Sequence, residues 1–196
     1  MDIHQVSSVD FDLQKKIAQE LEPLNFIYPD FKDWLTQKVF KQLNTDMRKI
    51  FVAQENEIIC GILILKDTDE EKKICTLRVT PRYSRLGIGS QLIKLAQSEL
   101  KTEYPVITVS ENHREEFRPI FEKFEFSFHQ RYFNYYKEET TEYSYNGPIE
   151  PGEVILSIKQ VKMVPITRHH FCLTTSLIDQ EDIYGQSSYV YQTYLC

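Results

Sequence analysis

Leu77-Arg78-Val79-Thr80-Pro81-Arg82-Tyr83-Ser84-Arg85-Leu86-Gly87-Ile88-Gly89-Ser90 joins the end of an apolar run to the start of a helical stripe, and its reading decides the fold. Upstream, residues 73–79 read as a strand; downstream, Ile88, Leu92, Leu95 and Leu100 recur at helical spacing. At such a junction the first-turn backbone N–H groups have no intrahelical acceptor, and the helix macrodipole places partial positive charge there. Gly87 and Gly89 let an anion approach the backbone with no Cβ in the way. Arg82 and Arg85 add two permanent charges. The combination suits a diphosphate. The same glycines also serve a plain strand-to-helix turn. The spacing matches neither the six-residue dinucleotide fingerprint nor the phosphate loop, which needs Gly-Lys-Ser/Thr.

Working outward, residues 58–65 are apolar on both faces, as in a central strand covered from two sides. Residues 49–53 read as the strand before it, with Gln54-Glu55-Asn56-Glu57 as the turn. The acidic run Asp67-Thr68-Asp69-Glu70-Glu71 reads as a solvated hairpin tip. Toward the N-terminus, residues 2–7 form a short strand. Asp10 caps a helix bearing Leu13, Ile17 and Leu21, and Asp30 caps another bearing Phe31, Leu35, Val39 and Leu43, with Trp34 beside them. Toward the C-terminus come a strand at 106–109, a helix ending near Phe124 with Pro119 inside it, and an aromatic strand at 126–136. Strands and helices alternate behind a run of hairpins, which is an α/β arrangement on a mixed sheet. The composition shifts after Glu138, and turn residues Asn146-Gly147-Pro148 and Pro151-Gly152 follow. This divides the chain into a domain at 1–140 and an extension at 141–196.

The 196 residues are 41% hydrophobic and 27% charged, the balance of a soluble globular protein and not of a disordered one. A net charge of −6 speaks against a nucleic-acid partner, whose binding relies on a basic surface. No apolar stretch approaches the roughly 20 residues that span a bilayer, so no membrane partner is expected. The N-terminus lacks a signal-peptide pattern, and Cys60, Cys75, Cys172 and Cys196 form no C-x-x-C pair. The expectation is a reduced, cytoplasmic protein without a metal.

The run from Val79 to Leu92 resembles motif A of the GNAT N-acetyltransferases, with valine and proline ending a strand and Arg85-Leu86-Gly87-Ile88-Gly89 leading into the helix. The order of elements from residue 2 to 136 is also similar to that family's. The resemblance implies a mostly antiparallel central sheet flanked by helices, and acetyl-CoA as co-substrate. Backbone groups of Ser84, Arg85, Leu86, Gly87, Ile88, Gly89 and Ser90 would hold its pyrophosphate. Leu77 and Val79 would run beside the pantetheine arm. The acetyl carbonyl would lie where this strand and residues 106–109 part, polarised by a backbone N–H. An amine of a small molecule or peptide would attack the thioester directly.

Three positions depart from the family's pattern. Ser84 stands where Arg or Gln is usual, and Phe121 and Glu125 replace the tyrosine and glycine of the element similar to Phe121-Glu122-Lys123-Phe124-Glu125-Phe126. Phenylalanine has no proton for the departing thiolate, a role worth about 10²–10⁴-fold when a general acid fills it. Tyr83, Tyr132, Tyr135 and Tyr136 are the alternative donors. Glu111, which follows the 106–109 strand at the reacting end, is the expected general base, with Ser110 able to orient a water instead. A non-catalytic acyl-CoA sensor or scaffold remains the alternative function. In the extension, Val154-Ile155-Leu156-Ser157-Ile158-Lys159 reads as a strand. His169-His170 has no spaced partner ligands, and the tyrosine-rich tail suits packing on the main domain or on a second subunit in a homodimer.

Overall fold

The computed structural model describes residues 1–43 and 45–149, and the backbone of the strands 173–181 and 187–195. The chain divides into a unit Met1–Leu156 and a unit Ser157–Cys196. The first holds a seven-stranded sheet in the spatial order β1-β2-β3-β4-β5-β7-β6. These strands are β1 (Asp2–Gln5), β2 (Arg48–Glu55), β3 (Ile58–Asp67), β4 (Lys72–Val79), β5 (Val106–Ser110), β6 (Phe128–Phe133) and β7 (Thr141–Tyr145). Every pairing is antiparallel except β4 with β5.

Side chains alternate between the two faces of a strand, and the two-sided apolar run of β3 feeds two separate cores. Leu63 and Leu65 join Phe51, Leu92, Ile93, Ile107 and Val109 on one face. Ile62 and Ile64 join Ile50, Val52, Ile17 and Leu35 on the other. Burying each such leucine or isoleucine contributes about 1.5–3 kcal/mol. The first core is roofed by α3 (Ile88–Leu100) and α4 (Arg114–Lys123). Helix α3 lies close on the sheet because Gly61 sits beneath it. A Cβ there would meet Ile88 Cγ2 at 3.0 Å and Leu92 Cδ1 at 3.1 Å.

The second core is covered by α1 (Phe11–Glu20), whose start is capped by Asp10 accepting from the Leu13 amide, and by α2 (Phe31–Asp33). Helix α2 continues into a π-helical segment (Trp34–Val39) and a 3-10 turn (Phe40–Gln42). The irregularity follows from the sequence. Phe31, Leu35, Val39 and Leu43 step by four, more than the 3.6 residues of an α-turn, and all four are buried. A wider i→i+5 turn keeps a four-residue step on one face.

Helix α4 runs through Pro119 after a 3-10 turn at Glu111–His113. It ends in a Schellman motif: Phe126 N–H donates to Phe121 O (2.9 Å) and Glu125 N–H to Glu122 O (3.3 Å). Glu125 takes the left-handed position at φ +55°, the conformation that glycine adopts most readily and for which the family pattern's glycine was expected.

Two findings differ from the sequence reading. β7, assigned above to the extension beyond residue 140, lies inside the sheet between β5 and β6, pairing Ser110 with Glu142 and Tyr132 with Glu142. The polar composition after Glu138 marks only the β6–β7 turn. The acidic hairpin tip does form between β3 and β4, yet Glu71 is not solvated. It is 4% exposed and pairs with Lys66 at 2.6 Å. The second unit contains an antiparallel hairpin of β8 (Leu173–Glu181) and β9 (Ser187–Leu195). The expected strand at Val154–Lys159 and the pair His169-His170 lie outside the described residues.

Candidate active site

The cradle forms where β4 ends. Thr80 leads into a 3-10 turn (Pro81–Tyr83), then Ser84 extends the chain toward α3. Gly87 occupies the left-handed region at φ +83°, and a Cβ built on it would meet nothing within 4 Å. The first α3 bond of this turn is donated by Gln91 to Gly87 O at 3.1 Å, so the amides of Ile88, Gly89 and Ser90 have no acceptor within the helix. Arg85 is also left-handed, at φ +62°. From α4, Lys123 Nζ reaches over to donate to Ser90 Oγ (2.9 Å), adding a cation that the local sequence did not suggest. Open space, unpaired amides and positive charge at one helix end fit a phosphate group.

From this cradle a cleft of about 900 Å³ runs across the sheet. Leu77, Val79, Ser84, Arg85, Gly87, Ile88, Gly89 and Ser90 all line it; Leu86 does not and is 66% exposed. Its floor opens because β4 and β5 pair only at Lys73–Val106 and Ile74–Ile107 and then part. The parting coincides with a bulge. The β3–β4 register slips between Ile64 and Leu65, leaving Cys75 unopposed. A bulge re-aims the strand and frees backbone groups from the ladder.

Beyond the parting, the wall is aromatic. Tyr28, Phe31, Trp34, Tyr135 and Tyr136 line it together with Asp30. The Tyr28 and Tyr136 rings meet edge-on at 5.3 Å, as do Tyr135 and Tyr136 at 4.6 Å. Trp34 is held by the buried Arg48, whose guanidinium lies 5.8 Å from its ring centroid and donates to Cys75 Sγ at 3.0 Å.

Comparison with known proteins agrees with this geometry. A family profile for the acetyltransferase (GNAT) domain matches residues 17–137. The chain belongs to the GNAT acetyltransferase family. Among solved structures it is similar to a Desulfovibrio desulfuricans protein assigned to the GNAT family, at 15% identity and a TM-score of 0.60, covering 74% of this chain and 96% of that one. An aminoglycoside 6′-N-acetyltransferase complexed with coenzyme A gives 12% identity and a TM-score of 0.59 over 76% and 99% of the two chains. A Bacillus subtilis acetyltransferase in complex with CoA gives 15% and 0.50 over 72% and 95%. At these identities the likeness is one of fold. No curated protein sequence is significantly similar to the chain.

Within this GNAT frame, the expected catalytic groups take up varied positions. Glu111 is exposed at the end of β5 and is not among the residues lining the cleft; the Tyr143 hydroxyl donates to its Oε1 at 3.3 Å. Phe121 is buried in the α3–α4 core, its ring 4.2 Å from that of Tyr145. Of the four alternative tyrosines, Tyr135 and Tyr136 line the cleft. Tyr132 accepts from the Ile149 amide at 3.0 Å, and Tyr83 packs against the first core.

A carboxylate absent from the sequence reading sits behind the wall. Glu142 on β7 is buried, and the Tyr28 hydroxyl donates to its Oε1 at 3.3 Å. Burial pushes its carboxyl up to about 7, against the opposing pull of hydrogen bonds from Thr108 and Tyr28 and of the Lys73 charge. Burial, with the neighbouring Glu142 next, raises the Tyr28 phenol far above its ordinary value, so it stays protonated. Its only sequence signal was a lone glutamate between threonine and tyrosine. No helix of the described residues is long and apolar enough to cross a membrane, and no three of their His, Cys, Asp or Glu side chains are grouped to hold a metal ion.

Proposed function

We propose that the chain transfers the acetyl group of acetyl-CoA to an amine of a small molecule or peptide, by direct attack and without a covalent enzyme intermediate. The observation that carries this reading is the continuity of one cleft. It runs from the α3 amides, past Leu77 and Val79, to the parting of β4 and β5, and ends at an aromatic wall. Acetyl-CoA supplies an activated thioester. Ile88, Gly89 and Ser90 amides, with Arg85 and Lys123 beside them, bind its pyrophosphate. Leu77 and Val79 offer β4 as an edge for the pantetheine arm. At the bulge, a backbone N–H freed from the ladder polarises the thioester carbonyl.

The acceptor approaches from the side of Tyr28, Trp34 and Tyr136, where aromatic faces and Asp30 favour a cation. Cys60 and Cys75, neither of them in a disulfide, fit a reducing, cytoplasmic setting. Calorimetric titration with CoA and acetyl-CoA, followed by thiol-release assays over a polyamine, an aminoglycoside, an amino-acid amide and a peptide N-terminus, tests the proposal. Binding of CoA with release of thiol supports it. Lack of CoA binding refutes it, and binding without release for any amine refutes the catalytic part.

A further inference from the structure

Glu142 occupies a particular place in the sheet. Its cross-strand partner on β5 is Ser110, and on β6 Tyr132. Thr108, which donates to its carboxylate, is the first residue of β5 beyond the last β4–β5 pair. The carboxylate therefore lies one strand away from where the floor of the cleft opens. A chain of hydrogen bonds connects it to the cleft. Tyr28 donates to Glu142, Ser110 bonds to the Tyr28 oxygen, and Ser110 Oγ lies 2.9 Å from His113 Nδ1. Tyr28, Thr108 and His113 all line the cleft, while Glu142 and Ser110 stand behind them. The charged and titratable groups facing this chain are Lys73 from β4, Tyr136 beside Tyr28, Tyr132 from β6 and His113 after β5.

A buried carboxylate is costly to retain for packing alone. Here it ends a hydrogen-bonded path whose other end is open to an acceptor. Glu111, by contrast, is exposed, stands outside the cleft and accepts from the Tyr143 hydroxyl of β7.

Resting on the acetyl-transfer reading, we propose that Glu142, acting through the Tyr28 hydroxyl, receives the proton that the acceptor ammonium must lose before it attacks. The ammonium proton moves to the Tyr28 oxygen as the phenolic proton moves to Glu142 Oε1. This leaves a neutral amine, an intact phenol and a carboxylic acid. The nitrogen lone pair then forms the C–N bond at the thioester carbonyl. The C–S bond breaks with its electron pair on sulfur, and the second nitrogen proton goes to that thiolate. Glu142 returns its proton to solvent along the same path. Tyr28 is the group that touches the substrate; Glu142 acts behind it.

The test compares the wild type with Glu142→Gln, Tyr28→Phe, His113→Gln and Glu111→Gln, using the fastest acceptor of the amine panel and calorimetry with CoA. The wild-type kcat/KM should rise through an inflection near the Glu142 value of about 7. Glu142→Gln and Tyr28→Phe should remove that inflection and lower kcat by about 10²–10⁴-fold, with CoA affinity unchanged. His113→Gln and Glu111→Gln should keep it. In the resting protein, infrared difference spectra should show a carboxylic-acid band that titrates across the same pH range and is missing from Glu142→Gln. Survival of the inflection in Glu142→Gln, or its loss in His113→Gln or Glu111→Gln, overturns the relay while CoA binding and turnover leave the acetyltransferase reading standing. Absence of the infrared band also overturns it. A wild type that neither binds CoA nor releases thiol overturns both.

Discussion

Replacing Glu142 by glutamine should make the protein's stability less sensitive to pH, and the size of the effect follows from its burial. The folded carboxyl sits at about 7, against 4.5 in an ordinary solvated state. Between these values the native state holds a proton that the unfolded chain has released, so the unfolded chain gains relative stability as pH rises. Glu142's contribution is therefore most favourable below pH 4.5 and is lost by the time pH passes about 7. A shift of this size corresponds to roughly 3 kcal/mol over the full range, of which about 2–3 kcal/mol falls between about pH 5 and pH 8. Glutamine keeps the side-chain length and an oxygen that accepts from Tyr28 and Thr108. Its buried amide adds a cost of about 1–3 kcal/mol that is the same at every pH. The change in unfolding free energy on substitution should thus be about 2–3 kcal/mol more favourable at about pH 8 than at about pH 5. Urea unfolding followed by the fluorescence of Trp34, the single tryptophan, measures it. Equal changes at the two pH values would refute the argument that burial governs this carboxyl.

Gly87→Ala places a methyl group at φ +83° in open space. It should cost about 1–2 kcal/mol of stability from backbone strain alone and weaken CoA binding about tenfold or more, read by calorimetry. Glu125→Gly, which puts a glycine in the left-handed position at the end of α4, should raise the urea midpoint, with a gain of up to about 1 kcal/mol and no change in CoA affinity. Glu71→Ala removes the carboxylate that pairs with the partly buried Lys66 and lies 3.9 Å from the buried Lys73. Loss of one partner from a buried pair typically costs about 3–5 kcal/mol, and thermal unfolding should show a correspondingly lower midpoint.

The parts of the fold that could be read along the chain are those whose signal is local. The two-sided run Ile58–Leu65, the junction Thr80–Ser90 and the stripes of α1 and α3 each occupy a single element, and all appear in the structure near their expected bounds. The stripe Phe31–Leu43 was also legible, but its step of four concealed a π-helical segment. The cradle was readable because its parts, a strand end, two glycines and a helix start, are consecutive. The aromatic wall of the cleft was not, because it is assembled from the loop before α2, the ends of β4 and β5, and the turn between β6 and β7.

By itself, the sequence determined the periodicities that set strands and helices, the left-handed glycine at the head of α3, and the family to which these motifs belong. Only the tertiary structure decided that β7 slides between β5 and β6, that Glu71 is buried, and that Tyr28 meets Glu142 across 114 residues of chain. Local pattern records which face of an element is apolar, but it does not record which strand lies beside it. A carboxylate's protonation depends on the water removed by distant neighbours, and those neighbours are chosen by the pairing of the sheet.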